Sequence, residues 1–520
     1  MSTTSPSSNL AGEKGLKKNA VGLLGSIVIG MASTAPAYSL AAALGFIVLG
    51  GETLVGFQAP GIILLAFVPM LFISFAYKEL NRVEPDSGTT FTWAARAFGT
   101  RTGWMGGWAI IAADIIVMAN LAQIAGSYSF TFVGEIFGNP DIAAISGDVL
   151  WSTVAGLIWI FLMTWICYRG IEVSARLQYW LLGIELVVLV AFAAVALYRV
   201  YSGNGIEGTT LPQLDWFNPF SLPFSTAVAP AILTALFIYW GWDTAVAINE
   251  ETKDTSKTPG RAAVTSTILL VVTYLLVTVG AVAFAGVGDG PTGLGNADNA
   301  GDIFAAIGPA LFGDSILGHI MMILLAASIL TSAAASTQTT ILPTARTAIS
   351  MAAFKAFPSK FAKVHSKYQT PSWATWGMGI ASAAFYLLFT LVSPSLLLAL
   401  IGSIGLLIAF YYGLTGFAST WFFRKTLFKS ARNFFMRGLL PLLGGLMLLA
   451  VFIYGLGTFL DPAWLVDDAG ENVTIFGAGA VGVVGLASIV LGIILMIVWN
   501  FINPKFFKGH TLERRAHTAD

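Results

Sequence analysis

The chain has 520 residues, 56% of them hydrophobic and only 10% charged, with 27 basic and 27 acidic side chains that cancel. A soluble domain carries about 25% charged residues because something must face water, so this composition excludes an ordinary soluble enzyme, and the balanced charge gives no footing for nucleic-acid binding. Cys167 is the single cysteine, which excludes an internal disulfide and a cysteine-rich metal site.

Apolar stretches follow one another in the pattern of a polytopic membrane protein, each crossing needing about 20 apolar residues. They predict twelve spans: 20–49, 55–77, 103–133, 150–168, 173–198 and 226–250 in the first half, then 262–286, 315–350, 373–392, 395–423, 436–460 and 475–502. The polar head Met1–Lys18 precedes a stretch too long for a signal-peptide core, so no cleavage is expected. With the N-terminus inside, all of the 27 Lys and Arg side chains except Arg199 fall on inner segments. That alternation predicts a multi-pass membrane protein with both ends cytoplasmic; the plasma membrane is the expected location.

Two spans are not plain helices. The first is too long for one crossing, and Gly30-Met31-Ala32-Ser33-Thr34-Ala35-Pro36 sits in its middle. Pro36 lacks an N–H and suits the first position of a new helix, which predicts a break there with free amides pointing into the bundle. The sixth span carries a similar interruption, Tyr239-Trp240-Gly241-Trp242-Asp243-Thr244. Broken helices at positions 1 and 6, running in opposite directions, are the sign of a five-plus-five inverted repeat with a midplane site. Gly30 and Gly241 as mere close-packing positions are the plainer reading of each alone.

At these residues the chain resembles the amino acid–polyamine–organocation permeases. Gly25-Ser26-Ile27-Val28-Ile29-Gly30 is similar to the family's approach to its broken first helix. Pro85-Asp86-Ser87-Gly88 with Phe91 and Ala97-Phe98-Gly99 resembles its loop between spans 2 and 3. Gly241-Trp242-Asp243 followed by Glu250-Glu251-Thr252-Lys253-Asp254 resembles the end of its span 6. The resemblance implies an all-α integral membrane protein of twelve transmembrane helices, with the leucine-transporter-like inverted repeat plus two additional helices. It divides the chain into an N-terminal tail (1–18), a ten-helix transport core (19–423), spans 11–12 (424–502) and a C-terminal tail (503–520). One departure is that no second Gly follows Gly30, so close approach of a substrate carboxylate to the backbone is not built in.

An acid at bilayer depth is costly unless neutralised or paired, so Asp114, Glu185 and Asp243 are candidates for proton coupling. Asp243 follows the second break, where it and unwound carbonyls would hold an ammonium group; capping a half-helix from Thr244 is the alternative. Glu185 falls where some proton-coupled relatives carry a lysine, and a protonated carboxyl there would donate to a carbonyl of the first broken helix. A Glu buried neutral is the plainer reading. Asp114 on span 3 fits a structural hydrogen bond as well as transport chemistry. The expected substrate-binding set is Gly30, Met31, Ala32, Ser33, Thr34, Phe237, Tyr239, Trp240, Gly241 and Asp243, with Phe237 near the family's gating aromatic. Span 8 hydroxyls, Ser336 and Thr337 in particular, are the alternative coupling site if sodium replaces the proton.

The reading is therefore a secondary transporter that imports amino acids by proton symport. Its partners are a small substrate, a proton and the lipid bilayer, and no cofactor, metal or enzymatic step is called for. A polyamine or other organic-amine permease or exchanger is the alternative. A channel or a nutrient sensor fits less well, since no polar-lined pore and no signalling tail are read here.

Overall fold

The computed structural model describes residues 14–392, 397, 400–466 and 470–518. Eleven helical stretches among the described residues are long and apolar enough to cross a membrane. The first is two helices, α1 (Leu23–Ser33) and α2 (Pro36–Leu49), joined at Thr34 and Ala35. Ala35 adopts the left-handed conformation at φ 47° and Pro36 opens α2, so the chain cannot run straight through.

Next come α3 (Ala59–Val83), the short α4 (Thr90–Phe98), α5 (Thr100–Phe137), α6 (Val149–Tyr168) and α7 (Ile171–Tyr201). The sixth span, expected over 226–250 with an interruption at 239–244, is α8 (Ala229–Phe237), a turn-rich stretch at 238–243, and the four-residue α9 (Thr244–Ala247). The chain continues through α10 (Thr258–Ala285), α11 (Ile303–Phe312), α12 (Ile316–Ala353), α13 (Ser372–Val392) and α14 (Ile401–Phe422). It closes with α15 (Leu440–Leu460) and α16 (Ala480–Ile502).

Several boundaries differ from the hydropathy reading. The expected span 475–502 starts with a two-residue hairpin, Thr474–Ile475 against Ala478–Gly479, and turns helical only at Ala480. The helix of span 395–423 begins at Ile401, and the residues just before it lie partly outside the described set. The ends of the two tails, 1–13 and 519–520, also lie outside it. α11 was not anticipated, because ten apolar residues are too few to read as a crossing.

Burial sorts the helices into centre and rim. The most apolar windows of Leu23–Leu49 and Thr100–Phe137 are each 83% buried, whereas that of Ala480–Ile502 is 28% buried. The broken first span and α5 therefore form the middle of the bundle. α16 shows Val490, Leu491, Ile493, Ile494, Ile497 and Val498 outward, the surface that a lipid solvent accepts at no hydrophobic cost.

Candidate functional site

The two breaks face each other at the centre of the bundle. Gly241 has φ +118°, a backbone conformation reserved in practice for glycine, and a Cβ there would lie 2.6 Å from the Ser33 carbonyl oxygen. Gly30 packs similarly, its hypothetical Cβ falling 3.0 Å from Ser266 Oγ and 3.2 Å from the Trp242 carbonyl. The contact is sealed by a hydrogen bond between the hydroxyls of Ser33 and Thr244 (2.9 Å). Tyr274 donates to the Ile238 carbonyl (2.5 Å), which the end of α8 leaves without a helical partner.

The first turn of α2 has no free amide to offer. The Ala37 N–H donates to Glu185 Oε1 (2.6 Å), the Tyr38 N–H to Ser332 Oγ (3.2 Å), and the Ser39 N–H returns to the Ala35 carbonyl (2.7 Å). Expected free amides are thus already occupied, mainly because a carboxylate on α7 seeks the positive end of a helix. Ser332 completes the arrangement by donating to the same Glu185 oxygen (2.8 Å). Glu185 Oε2 is buried without a hydrogen-bond partner. The partners of Glu185 are donors, not the carbonyl expected from the sequence. On α12 it is Ser332 and Ser336, one helical turn apart, that reach the break, Ser336 donating to the Ser33 carbonyl (2.9 Å). Thr337 bonds instead to Ala333 of its own helix (2.8 Å).

Asp243 precedes α9 but its side chain makes no capping bond. Its carboxylate accepts from two neighbouring tyrosines of α14: Tyr412 reaches Oδ1 at 2.7 Å and Tyr411 reaches Oδ2 at 3.3 Å. Asp114 of α5 accepts a short hydrogen bond from Thr344 of α12. Asn120 and Gln123 serve other partners, Tyr38 and Tyr386.

Two small cavities of ≈ 10 Å³ each, room for about one water, lie against the breaks. One is lined by Ser33, Asp114, Trp240, Gly241, Asp243 and Thr244, with Ile110, Thr340, Pro343 and Tyr411. The other is lined by Ser33, Thr34, Phe237, Trp240 and Ser336, with Tyr38 and Val117 among the rest. Ser33 and Trp240 wall both. Among the residues singled out in the sequence, Gly30, Met31, Ala32, Tyr239 and Glu185 line neither cavity. Tyr239 is packed between Phe67 and Tyr274 and donates to the Ile63 carbonyl (3.1 Å). Trp242 is fully buried in an aromatic group with Tyr77 and Tyr412. Tyr411 and Tyr412 escaped the sequence reading, and their only signal was a paired phenol in an otherwise apolar helix.

A second polar cluster closes the end of the bundle that holds the N-terminal segment. Lys14, with 1% of its side chain exposed, contacts Asp86 (2.9 Å) and Glu250 (2.5 Å), and donates to Ser87 (3.2 Å). Burial by itself would lower the Lys14 pKa, but Asp86 and Glu250 outweigh it and hold the ammonium above the ordinary lysine value. Burial likewise pushes the Asp86 carboxyl up, yet Lys14 and the Ser350 and Thr92 hydroxyls bring it below the usual range. Beside them Arg346 of α12 grips Glu251 with two 2.9 Å hydrogen bonds, both side chains buried. Glu251 also receives the Ala20 and Val21 amides on its carbonyl (2.8 and 3.1 Å). The N-terminal segment, the loop after α3, the end of span 6 and α12 are thereby tied into one knot.

Comparisons with known proteins agree with this architecture. The family model described as amino acid permease matches residues 20–505. The branched-chain amino acid permease BcaP of Lactococcus lactis is 25% identical over 250 residues, 44% of this chain, and the chain spans about half (50%) of that relative's length. BcaP of Bacillus subtilis is 26% identical over 362 residues, covering 66% of this chain and 70% of the relative. A crystal structure of MhsT in complex with L-phenylalanine superposes with a TM-score of 0.60 at 15% identity, covering 83% of this chain and 98% of MhsT. The shared architecture is the leucine-transporter-like fold, an all-α membrane bundle.

Proposed function

The chain belongs to the amino acid permease family, and on that premise we propose that it is a secondary transporter importing amino acids across the plasma membrane by proton symport through alternating access. The observation that carries this reading is the cavity between the facing breaks, lined by Asp114 and Asp243 with no Lys, Arg or His in its wall. A low-dielectric cavity with two carboxylates and no base favours a cation, and the ammonium group of an amino acid is the simplest one. The names of the two BcaP relatives make leucine, isoleucine and valine the first substrates to try. No covalent change in the cargo is involved, and residues 19–423 act as the transport core with 424–502 as accessory spans.

Glu185 is the proposed proton carrier. As a carboxylate it holds the first turn of α2 through the Ala37 amide; a proton weakens that hold and frees the hinge at Thr34–Ala35. Each tenfold proton gradient supplies about 1.4 kcal/mol per proton, and the membrane potential adds about 2.3 kcal/mol per charge at 100 mV, enough for modest accumulation. The basic end is assigned to the cytoplasm by its excess of Lys and Arg, which makes the Lys14 and Arg346 knot an inner gate, shut in this state.

A second reading, an organic-amine permease, is favoured by one observation: the α2 amides that would meet a substrate carboxylate are taken by Glu185 and Ser332. Uptake into proteoliposomes decides between them. Labelled leucine, isoleucine, valine, the other amino acids and putrescine are offered under an inward pH gradient, with and without sodium. We expect amino acid accumulation that follows the pH gradient and ignores sodium. Accumulation of putrescine alone would select the second reading, and uptake that requires sodium would move coupling from Glu185 to the Ser332–Ser336 pair.

A further inference from the structure

We propose that Tyr411 and Tyr412 are opposed positioning residues for the Asp243 carboxylate, one competing with the cargo ammonium and the other cooperating with it. The inference rests on the reading of Asp243 as the group that meets the ammonium. The two phenols are adjacent in sequence and both buried, yet they hold the carboxylate differently. Tyr412 donates to Oδ1 at 2.7 Å, and its ring is wedged against Tyr77 and Trp242 at centroid distances of 5.8 and 5.1 Å. It lines no cavity. Tyr411 donates to Oδ2 at 3.3 Å, the long end of the hydrogen-bond range. It stands in the wall of the cavity shared by Asp114 and Asp243.

Tyr411 also has a second commitment. Its oxygen accepts the Trp240 indole N–H at 2.5 Å, and Trp240 walls both cavities. A chain of donors therefore runs from Trp240 through Tyr411 to Oδ2 of Asp243. An ammonium entering the cavity brings three N–H donors and displaces the long Tyr411 bond, not the short Tyr412 bond behind the carboxylate. Tyr411 stays anchored by Trp240 when it is displaced. Tyr412 keeps Oδ1 occupied, so that Oδ2 is the oxygen presented to cargo. Because Tyr411 keeps its bond to Trp240, the side chain common to both cavities, its shift on displacement is passed to Trp240 and felt in the other cavity.

The two tyrosines thus predict opposite effects of the same substitution. In proteoliposomes, Tyr412→Phe raises KM for the amine-bearing substrate about tenfold, the loss of a hydrogen bond to a charged acceptor. Tyr411→Phe removes the competitor and lowers KM about threefold, while Vmax in both stays within about twofold of wild type. Thermal melting in detergent shows that both variants fold. The inhibition constant of an analogue lacking the amine, 4-methylpentanoate against leucine uptake, moves with neither once corrected for the change in leucine KM. A merely structural role for the pair would raise KM in both variants, and that result overturns the inference while leaving transport intact. Wild-type protein that carries none of the amino acids or putrescine overturns the transport reading, and this inference with it.

Discussion

Two clusters of buried carboxylates share this bundle and are built on opposite principles. At the basic end each acid faces a cation: Asp86 and Glu250 meet Lys14, Glu251 meets Arg346, and Glu79 meets Arg432 and Arg437. At the breaks, Asp114, Glu185 and Asp243 face hydroxyls and backbone amides among the described residues, and no cation. A buried acid that already has its cation is part of the framework, since removing either partner strands a charge. One that meets only neutral donors keeps its electrostatic demand open for something that arrives from outside.

The sharpest way to break this comparison is Arg346→Met. It leaves Glu251 buried and unpaired, and should cost about 3–5 kcal/mol, read as a large drop in melting temperature in detergent. A melting curve like wild type would remove the knot from the framework. Asp243→Asn is the counterpart at the open cluster. It is nearly isosteric, so melting should be unchanged while uptake of amine-bearing substrate falls about tenfold or more; wild-type affinity would return Asp243 to the framework. Glu185→Gln should retain substrate binding and exchange yet lose pH-driven accumulation, and acid stimulation that survives in this variant would reject Glu185 as the carrier.

Lys14→Met tests the knot more gently, because the N-terminal segment can peel away into water; we expect about 1–2 kcal/mol. The pH dependence has a definite sign. The depressed Asp86 contributes stability above the ordinary aspartate value of about 3.9 and loses it as pH falls through its lower folded value. The raised Lys14 contributes below about 10.4 and loses it as pH rises through its higher folded value. Wild type should therefore show a broad plateau of melting temperature that both extremes erode, and the variant should sit lower on that plateau. The smallest effect belongs to Lys17→Ala. Its pair with Glu172 has side chains 39% and 51% exposed, and its loss should shift stability by no more than about 0.5 kcal/mol.

Most of the bundle could be read from hydropathy, because a lipid solvent imposes a length and an apolarity on every crossing. The breaks were legible for a different reason: Pro36 restricts the backbone and Gly241 frees it, and both effects act locally, within one or two residues. Partnerships were not legible. Arg346 reads in the sequence as one more inner positive charge, but its partner Glu251 lies 95 residues earlier and the pair is buried inside the bundle. Tyr411 and Tyr412 read as packing, since a phenol in an apolar helix gives no hint of a carboxylate 168 or 169 residues away. Span 8 offered a row of hydroxyls, and only the helical phase decided that Ser332 and Ser336, not Thr337, turn toward the break.

The reach of Lys14 sets a schedule for biosynthesis. Lys14 is made before both of its partners: Asp86 follows 72 residues later, and Glu250 only after 236. At about 5–20 residues per second, the first partner emerges after roughly 4–14 s and the second after roughly 12–47 s. For that interval the ammonium must remain hydrated outside the bilayer while the first five spans are laid down. A charge that is first hydrated thus later becomes a buried fastener. Lys14 is thus a closure that only the emergence of the end of the sixth span, with Glu250, can complete.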